Sequence, residues 1–394
     1  MPPPPTLTGT SGIRRALPVL PMALIAGLLL FGADAMAGQL IRSGYVDFAR
    51  PLLADDGLPH LLPGSDRPLV RHYVGVPAVD RYLATANVFW ANVADGARPQ
   101  LSLFAFYFGM QLVAFFTVFL VESRRVAKWS WLLSSPLLWG FLMQTFGFGL
   151  VVPVFFILHL AVSSRSTLAD TVRLRDPTSL HTVAPAFTLG YFIPSLVLAF
   201  PFPQANLRQW ANIVWQAFPL HVVLCQAVFT GVVKRTSLGQ DAFTSPVQLD
   251  RRALSRAYGF AWNVAVTGQL CTYAVLVAAS MAPKLFPPGV ARTLSFAGVF
   301  IPGPPHSSAP MTSPAAVVHD FFRYDLYVGS AVALVWAVYL LSQVRPSGPE
   351  ERANLTRGVV MSLCLSGPGG ALVALLQHRD ETVLAAEVKA EKLH

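Results

Sequence analysis

Three places in this sequence set an acidic side chain inside or at the end of an apolar run. In the string NVFWANVADGARPQLSLFAFYFGMQ, Asn87, Trp90, Asn92, Asp95 and Arg98 precede a long apolar stretch. The string HDFFRYDLYVG holds His319, Asp320, Arg323, Tyr324 and Asp325, and Glu122 ends another apolar run beside Arg124 and Arg125. An ionisable group at the centre of a membrane helix costs roughly 2.5–3.5 kcal/mol on insertion scales, so each position carries a functional expectation. The chemistry in view is proton donation: a carboxyl taken out of water by a lipid-walled bundle stays protonated at neutral pH and becomes a general acid. Each cluster also has a plain structural reading. Asp95-Gly96 is a turn signal, and Asp95 can pair with Arg98 ahead of a helix opened by Pro99. Asp320 and Arg323 suit an i,i+3 surface pair, and Glu122 suits a carboxylate held at the interface by its two arginines. Asp320 and Asp325 are five apart, about 140° around a helix, so one of them faces any common cavity, and Asp325 is the deeper. Gln111, Gln144, His159, His181, Gln216, His221, Asn263 and Gln269 read first as interhelical hydrogen bonders. Trp210, Trp215, Phe218, Trp262 and Tyr273 read first as an interfacial aromatic belt.

Other chemistries are missing. There is no P-loop, no HExxH, no GxSxG elbow and no paired Asp-rich repeat to hold a diphosphate through magnesium. Cys225, Cys271 and Cys364 lie in apolar runs without metal or disulfide spacing. No metal site and no cofactor is expected. No matched pair of interrupted helices signals the inverted repeat of a transporter.

The elements that must position these residues are membrane helices. The 394 residues are 54% hydrophobic and 12% charged, with a mean hydropathy of +0.51, about half the charge of a soluble domain. Twenty-nine Lys and Arg against 20 Asp and Glu give a net charge of +9. The excess is spread over short loops, which argues against nucleic acid as a partner. Runs near 16–33, 101–121, 181–200, 208–233, 257–280, 324–344 and 357–377 each approach the ~20 residues a span requires. Residues 131–163 would make a helix of ~50 Å, too long for a ~30 Å core. Gly147, Gly149 and Pro153 interrupt it, predicting a helical hairpin or broken helix. The fold class is therefore an all-α polytopic bundle of eight to nine membrane segments in a single integral domain, 1–394.

Loop charge agrees, since Lys and Arg collect on the cytosolic side. Arg14 and Arg15 place the amino terminus inside, and the first run is a signal anchor or first span with a signal-peptide look at Ala33, Ala35 and Ala37. Residues 42–100 are then lumenal and 101–377 form the bundle. A round trip by 131–163 keeps the loops with Arg124, Arg125 and Lys128, with Arg165, Arg173 and Arg175, with Lys234, Arg235, Arg251 and Arg252, and with Arg345, Arg352 and Arg357 inside. Pro2 to Pro5 read as a frayed terminus.

The strings NVADGARPQLSLFAFYFGMQLVAFFTVFLVESRR and RYDLYVGSAVALVWA resemble the fungal integral-membrane terpene cyclases of ascochlorin, ascofuranone and macrophorin biosynthesis, over about residues 80–377. The resemblance implies a metal-independent enzyme of the endoplasmic reticulum membrane. Such an enzyme folds the farnesyl chain of a meroterpenoid, protonates a terminal epoxide or olefin, and cyclises it. Its partners would be a hydrophobic prenylated substrate and the lipid bilayer. It points to Asp95 and Asp325, with Glu122 third, as catalytic acids, and to Asn92, Trp90, Gln111, Tyr324, Trp215 and Asn263 as substrate-binding residues. Aromatic faces would shield and stabilise the cation. A different class also fits the composition: a multi-pass transporter or export protein for a secondary metabolite. The topology generates one direct expectation. Asn354-Leu355-Thr356, the one glycosylation sequon, is cytosolic, so endoglycosidase treatment should leave the mobility of the protein unchanged.

Overall fold

The computed structural model describes residues 18–54, 59–127, 130–164, 166–236, 245–344 and 348–391. Arg14, Arg15, Lys128, Arg165, Arg345 and Pro2 to Pro5 lie outside them, as does the side chain of Arg352. The described chain is helical, with isolated bridges and no strands. Its main helices are α1 (Val19–Arg42), α2 (Tyr45–Leu52), α3 (Pro77–Phe89), α4 (Pro99–Glu122), α5 (Pro136–Phe146), α6 (Phe148–Ser163), α7 (Pro177–Ala199), α8 (Ala205–Gln216), α9 (Phe218–Arg235), α10 (Pro246–Met281), α11 (Pro314–Ser342) and α12 (Pro349–Glu391). Proline opens most of them, where its missing N–H is no loss. Ser245 and Ser313 cap α10 and α11 by accepting the amides of Gln248 and Ala316.

Six of these helices, α1, α4, α7, α10, α11 and α12, are long and apolar enough to cross a bilayer. The α8–α9 pair, bent by 57° at Ala217, makes a seventh span if counted as one. This is fewer than the eight to nine segments expected, and the break at Gly147 is the reason: the two helices of 131–163 are each too short to count. At Gly147 (φ 97°, ψ 150°) the apolar stretch turns back on itself, bringing the rings of Trp139 and Phe155 to 5.2 Å. Phe148 packs on Phe115, Phe155 on Phe119, and His159 on Glu122, so α6 runs parallel to α4 from its middle to its end. The α5–α6 hairpin thus reaches the level of the middle of α4 and returns toward the end of α4 that carries Glu122.

A second break falls inside the expected span at 357–377, within a helix long and apolar enough to cross a bilayer. Gly367 has a similar conformation (φ 69°, ψ −175°) and is followed by Pro368. Gln343 and Arg379 line one small cavity, so α11 ends beside residue 379. The chain from 343 to 349 reaches at most ~20 Å, whereas a straight helix would hold Pro349 ~45 Å from Arg379. α12 is therefore kinked at Gly367, and its last turns lie with Arg125 and Arg173 on the basic face. Both breaks place glycine at positive φ with another glycine two residues on.

At each apex that second glycine donates its amide to a side chain from another helix: Gly149 to Asp325 Oδ1 (2.6 Å) and Gly369 to Gln111 Oε1 (2.9 Å). A helix that starts in hydrocarbon needs such acceptors. The core is continuous from Ile25 to Leu384. α1 belongs to it, with Gly32 against Val328 and Met36 against the Gly147 apex, so the bundle begins earlier than residue 101.

A Cβ at Gly367 would sit 2.6 Å from the Gln111 carboxamide, on a backbone disfavoured for L-residues. Gly367→Ala should destabilise the detergent-solubilised protein by about 1–3 kcal/mol. Gly259→Ala, in open space inside α10, should leave its thermal midpoint unchanged or raise it, since alanine is favoured over glycine in a helix interior by about 0.5–1 kcal/mol.

Candidate active site

Between α3, α4, the α5–α6 apex, α7, α8 and α11 lies a cavity of about 820 Å³. The volume is in the range of a drug-sized ligand site. Phe89, Trp90, Phe108, Phe148, Trp215 and Phe322 are among the residues of its wall. Their packing is mutual: Trp90 lies 4.6 Å from Trp215 and 5.1 Å from Phe322, and Phe108 lies 5.9 Å from Phe148 (ring centroids). Such edge-on and tilted contacts lock the rings. Phe106, Phe146 and Leu196 line the cavity yet are 43%, 57% and 71% exposed. Phe146 adjoins the Gly147 apex, so the cavity opens beside that apex between exposed apolar side chains.

Among the described residues, Asp325 is the one acidic side chain in this wall, and no Lys, Arg or His lines it. The residue is 5% exposed and makes no ion pair among the described residues. Two features position it. It lies mid-way along α11, and its Oδ1 caps the start of α6 through the Gly149 amide, with the Phe148 amide also against the carboxyl.

The other expected site residues separate. Trp90 and Trp215 are in the wall, Trp215 held by an Nε1–H bond to Ser195 Oγ (2.9 Å). Asp95 is not. Its Oδ1 accepts the Ala97 amide (2.9 Å) across the Gly96 turn, and Oδ2 lies 3.9 Å from Arg208, rather than pairing with Arg98. Asn92 packs against Gly64, and Tyr324 donates its hydroxyl to the Gly303 carbonyl beside Phe31. Gln111 is spent on the α12 apex and on the Ala265 carbonyl, and Asn263 is exposed on the outer face of α10. Asp320 pairs with Arg323 (2.7 Å), as the i,i+3 spacing suggests.

Glu122 lies at the far end, buried on the basic face. It meets Arg125 (3.1 Å) and His159 (3.0 Å), not Arg124. Arg125 also binds Asp380 (2.6 Å), Tyr258 and the Val172 carbonyl; Asp380 pairs with Arg379, and Trp336 donates to His159 Nδ1. Two acids and two arginines balance, and the cluster ties α4, α6, α10, α11 and α12 together. It holds the bundle; it does not reach the cavity. Among the described residues no three His, Cys, Asp or Glu side chains converge on a metal position.

Sequence reasoning missed Phe89, Phe108, Phe148 and Phe322, because a phenylalanine in an apolar run carries no mark of facing a cavity. A usable signal was the Gly147-Phe148-Gly149 break: an apex within an apolar stretch demands a buried acceptor, and Asp325 is an acid in another. On the opposite face, Asp80 organises the loop into α3. It accepts the Val74 (2.8 Å), Tyr73 (3.0 Å) and Gly75 (3.1 Å) amides, which hold its carboxyl below the ordinary range. Burial pushes the neighbouring Tyr73 hydroxyl up to about 12.

Residues 26–384 match the CtvD domain. Terpene cyclase ascI of Acremonium egyptiacum is 25% identical over 375 residues, 91% of this chain and 91% of its own length. Terpene cyclase ctvD of Aspergillus terreus is 28% identical over 372 residues, 91% and 100%. Terpene cyclase janA of Penicillium janthinellum is 26% identical over 363 residues, 90% and 92%. No solved structure matches the chain at a significant level.

The cap predicts a split between two substitutions. Asp325→Asn retains an oxygen for the Gly149 amide and should melt within about 1 kcal/mol of the parent, whereas Asp325→Ala strands that donor and should cost about 1–3 kcal/mol. Thermal denaturation in detergent reads both.

Proposed function

The chain belongs to the CtvD-domain family, and on that premise we propose that it is a membrane terpene cyclase of fungal secondary metabolism. Its substrate is the farnesyl chain of a prenylated, meroterpenoid-type molecule, bearing a terminal epoxide or olefin. The observation that carries this reading is the aromatic-walled cavity with, among the described residues, a single carboxyl group and no cationic side chain. Asp325 is the acid. Its proton passes to the epoxide oxygen as the C–O bond breaks, or to the terminal alkene carbon. The alkenes of the folded chain then attack in turn; a carbon next to the final cation gives up a proton to water, and the Asp325 carboxylate takes a proton back from solvent before the next turnover. Atoms balance: the product is an isomer of the substrate. The rings of Trp90, Trp215 and Phe322 stabilise the migrating positive charge and exclude water. Asp95 and Glu122 have no part in the reaction, the first being engaged by its turn and Arg208, the second by Arg125 and His159. The endoplasmic reticulum is the expected membrane, and the mouth beside the Gly147 apex lets a lipophilic chain arrive from the bilayer.

Microsomes bearing the protein, supplied with a farnesylated phenol carrying a terminal epoxide, should yield a product of equal mass and shifted retention. Asp325→Asn should lower its rate at least 100-fold, the usual contribution of a general acid. Asp95→Asn should stay within about threefold of the parent. Undiminished product from Asp325→Asn would remove the assignment. Movement of unaltered compound across sealed vesicles, with no isomer formed, would favour the transporter.

A further inference from the structure

A line of buried amides runs from the cavity into the segment before α4. Gln144 Nε2 donates to Gln216 Oε1 (2.9 Å), Gln216 Nε2 to Asn212 Oδ1 (3.3 Å), Asn212 Nδ2 to Asn87 Oδ1 (3.0 Å), and Asn87 Nδ2 to the Tyr73 hydroxyl (2.6 Å). Gln216, Asn212 and Asn87 are buried. The direction of the line is set at both ends. Gln144 Nε2 also faces the Gln216 carbonyl (3.5 Å), and Asn87 Nδ2 also faces the Leu83 carbonyl (3.4 Å). A carbonyl accepts only, so neither terminal amide can flip without setting oxygen against oxygen.

Each carbonyl oxygen within the line is consumed by the amide before it. One is left: Gln144 Oε1, which accepts no hydrogen bond among the described residues and belongs to a residue that lines the cavity. The remaining polar atoms nearby do not fill it. Thr145 Oγ1 donates to the Phe141 carbonyl (2.8 Å) and receives Tyr82 (3.1 Å). Gln144 stands on one limb of the hairpin, and Gly149, capped by Asp325, stands on the other. Besides the hydroxyl side chains of Tyr82, Thr85, Ser102, Thr145, Tyr191 and Ser195, the wall therefore carries a carboxyl, Asp325, and an oriented amide acceptor, Gln144.

We infer that Gln144 Oε1 binds a hydroxyl on the non-isoprenoid end of the substrate, so that the enzyme selects prenylated molecules carrying a hydrogen-bond donor and holds that end apart from the acid. The inference rests on the cyclase reading for what the ligand is, but its test does not require turnover. Quenching of Trp90 and Trp215 fluorescence can follow binding of two unreactive probes: a farnesylated phenol without an epoxide, and its O-methyl ether. They differ in the donor. The parent protein should bind the phenol about tenfold more tightly, one hydrogen bond's worth. Gln144→Met should bring the ratio to within about twofold, chiefly by weakening the phenol. Gln144→Asn keeps the amide but withdraws it by one methylene; it should lose the same discrimination and guards against a folding defect in the first variant. Equal affinities for the two probes in the parent, or an undiminished ratio in both variants, would overturn the inference. So would unchanged binding with an altered product from the epoxide, which would place Gln144 at cation quenching. Selective binding of the phenol with no isomer formed from its epoxide would leave donor recognition standing and remove the cyclase reading.

Discussion

A helix that begins in the middle of a bilayer presents backbone N–H groups where there is no water to meet them. Each such group left bare costs several kcal/mol, and the chain must bring an acceptor to it. This protein does so twice. The α6 apex is met by Asp325 from α11 and the α12 apex by Gln111 from α4. The requirement explains why an acidic side chain is tolerated at that depth. It also explains why it is held rigidly: an oxygen fixed by backbone amides cannot swing away from the cavity wall.

Polar groups elsewhere in the bundle are sorted by whether they balance. On the basic face, Glu122, Arg125, Asp380 and Arg379 neutralise one another and are joined by His159, Tyr258 and Trp336. Removing one partner from such a buried cluster costs about 3–5 kcal/mol, because the remainder is left uncompensated. Its role is to fix the lower halves of five helices. Asp325 stands outside this sorting, with amides and no cation for company. That imbalance is what separates a site from a strut.

The segment between α1 and α4 is part of the site rather than a tether. Asp80 gathers the amides of residues 73–75, α3 follows, and Asn87 on α3 continues the amide line that ends at Gln144. Phe89 and Trp90, one turn on, are wall residues. The chain outside the spans thus positions side chains in the cavity wall, through hydrogen bonds whose direction propagates from one amide to the next.

Composition and run length alone determined that this is a helical membrane protein, because 12% charge over 394 residues cannot cover a soluble surface. The break at Gly147 was legible from excess length and glycine content, and the turn at Asp95-Gly96 from local chemistry. Asp325 was legible as the deepest acid of its cluster. The second apex was not, since 357–377 has the length of an ordinary span and only the position of Gln343 beside Arg379 reveals the kink. Nor was the sorting of the acids. Asp95, Glu122 and Asp325 look alike in sequence, and the difference lies in partners up to 258 residues away in the chain: Arg208 for the first, Arg125 and the Asp380 cluster for the second, a helix start for the third. Periodicity records how far a side chain is from water along its own helix. What faces it from the next helix is decided by packing, and that exists only in the folded bundle.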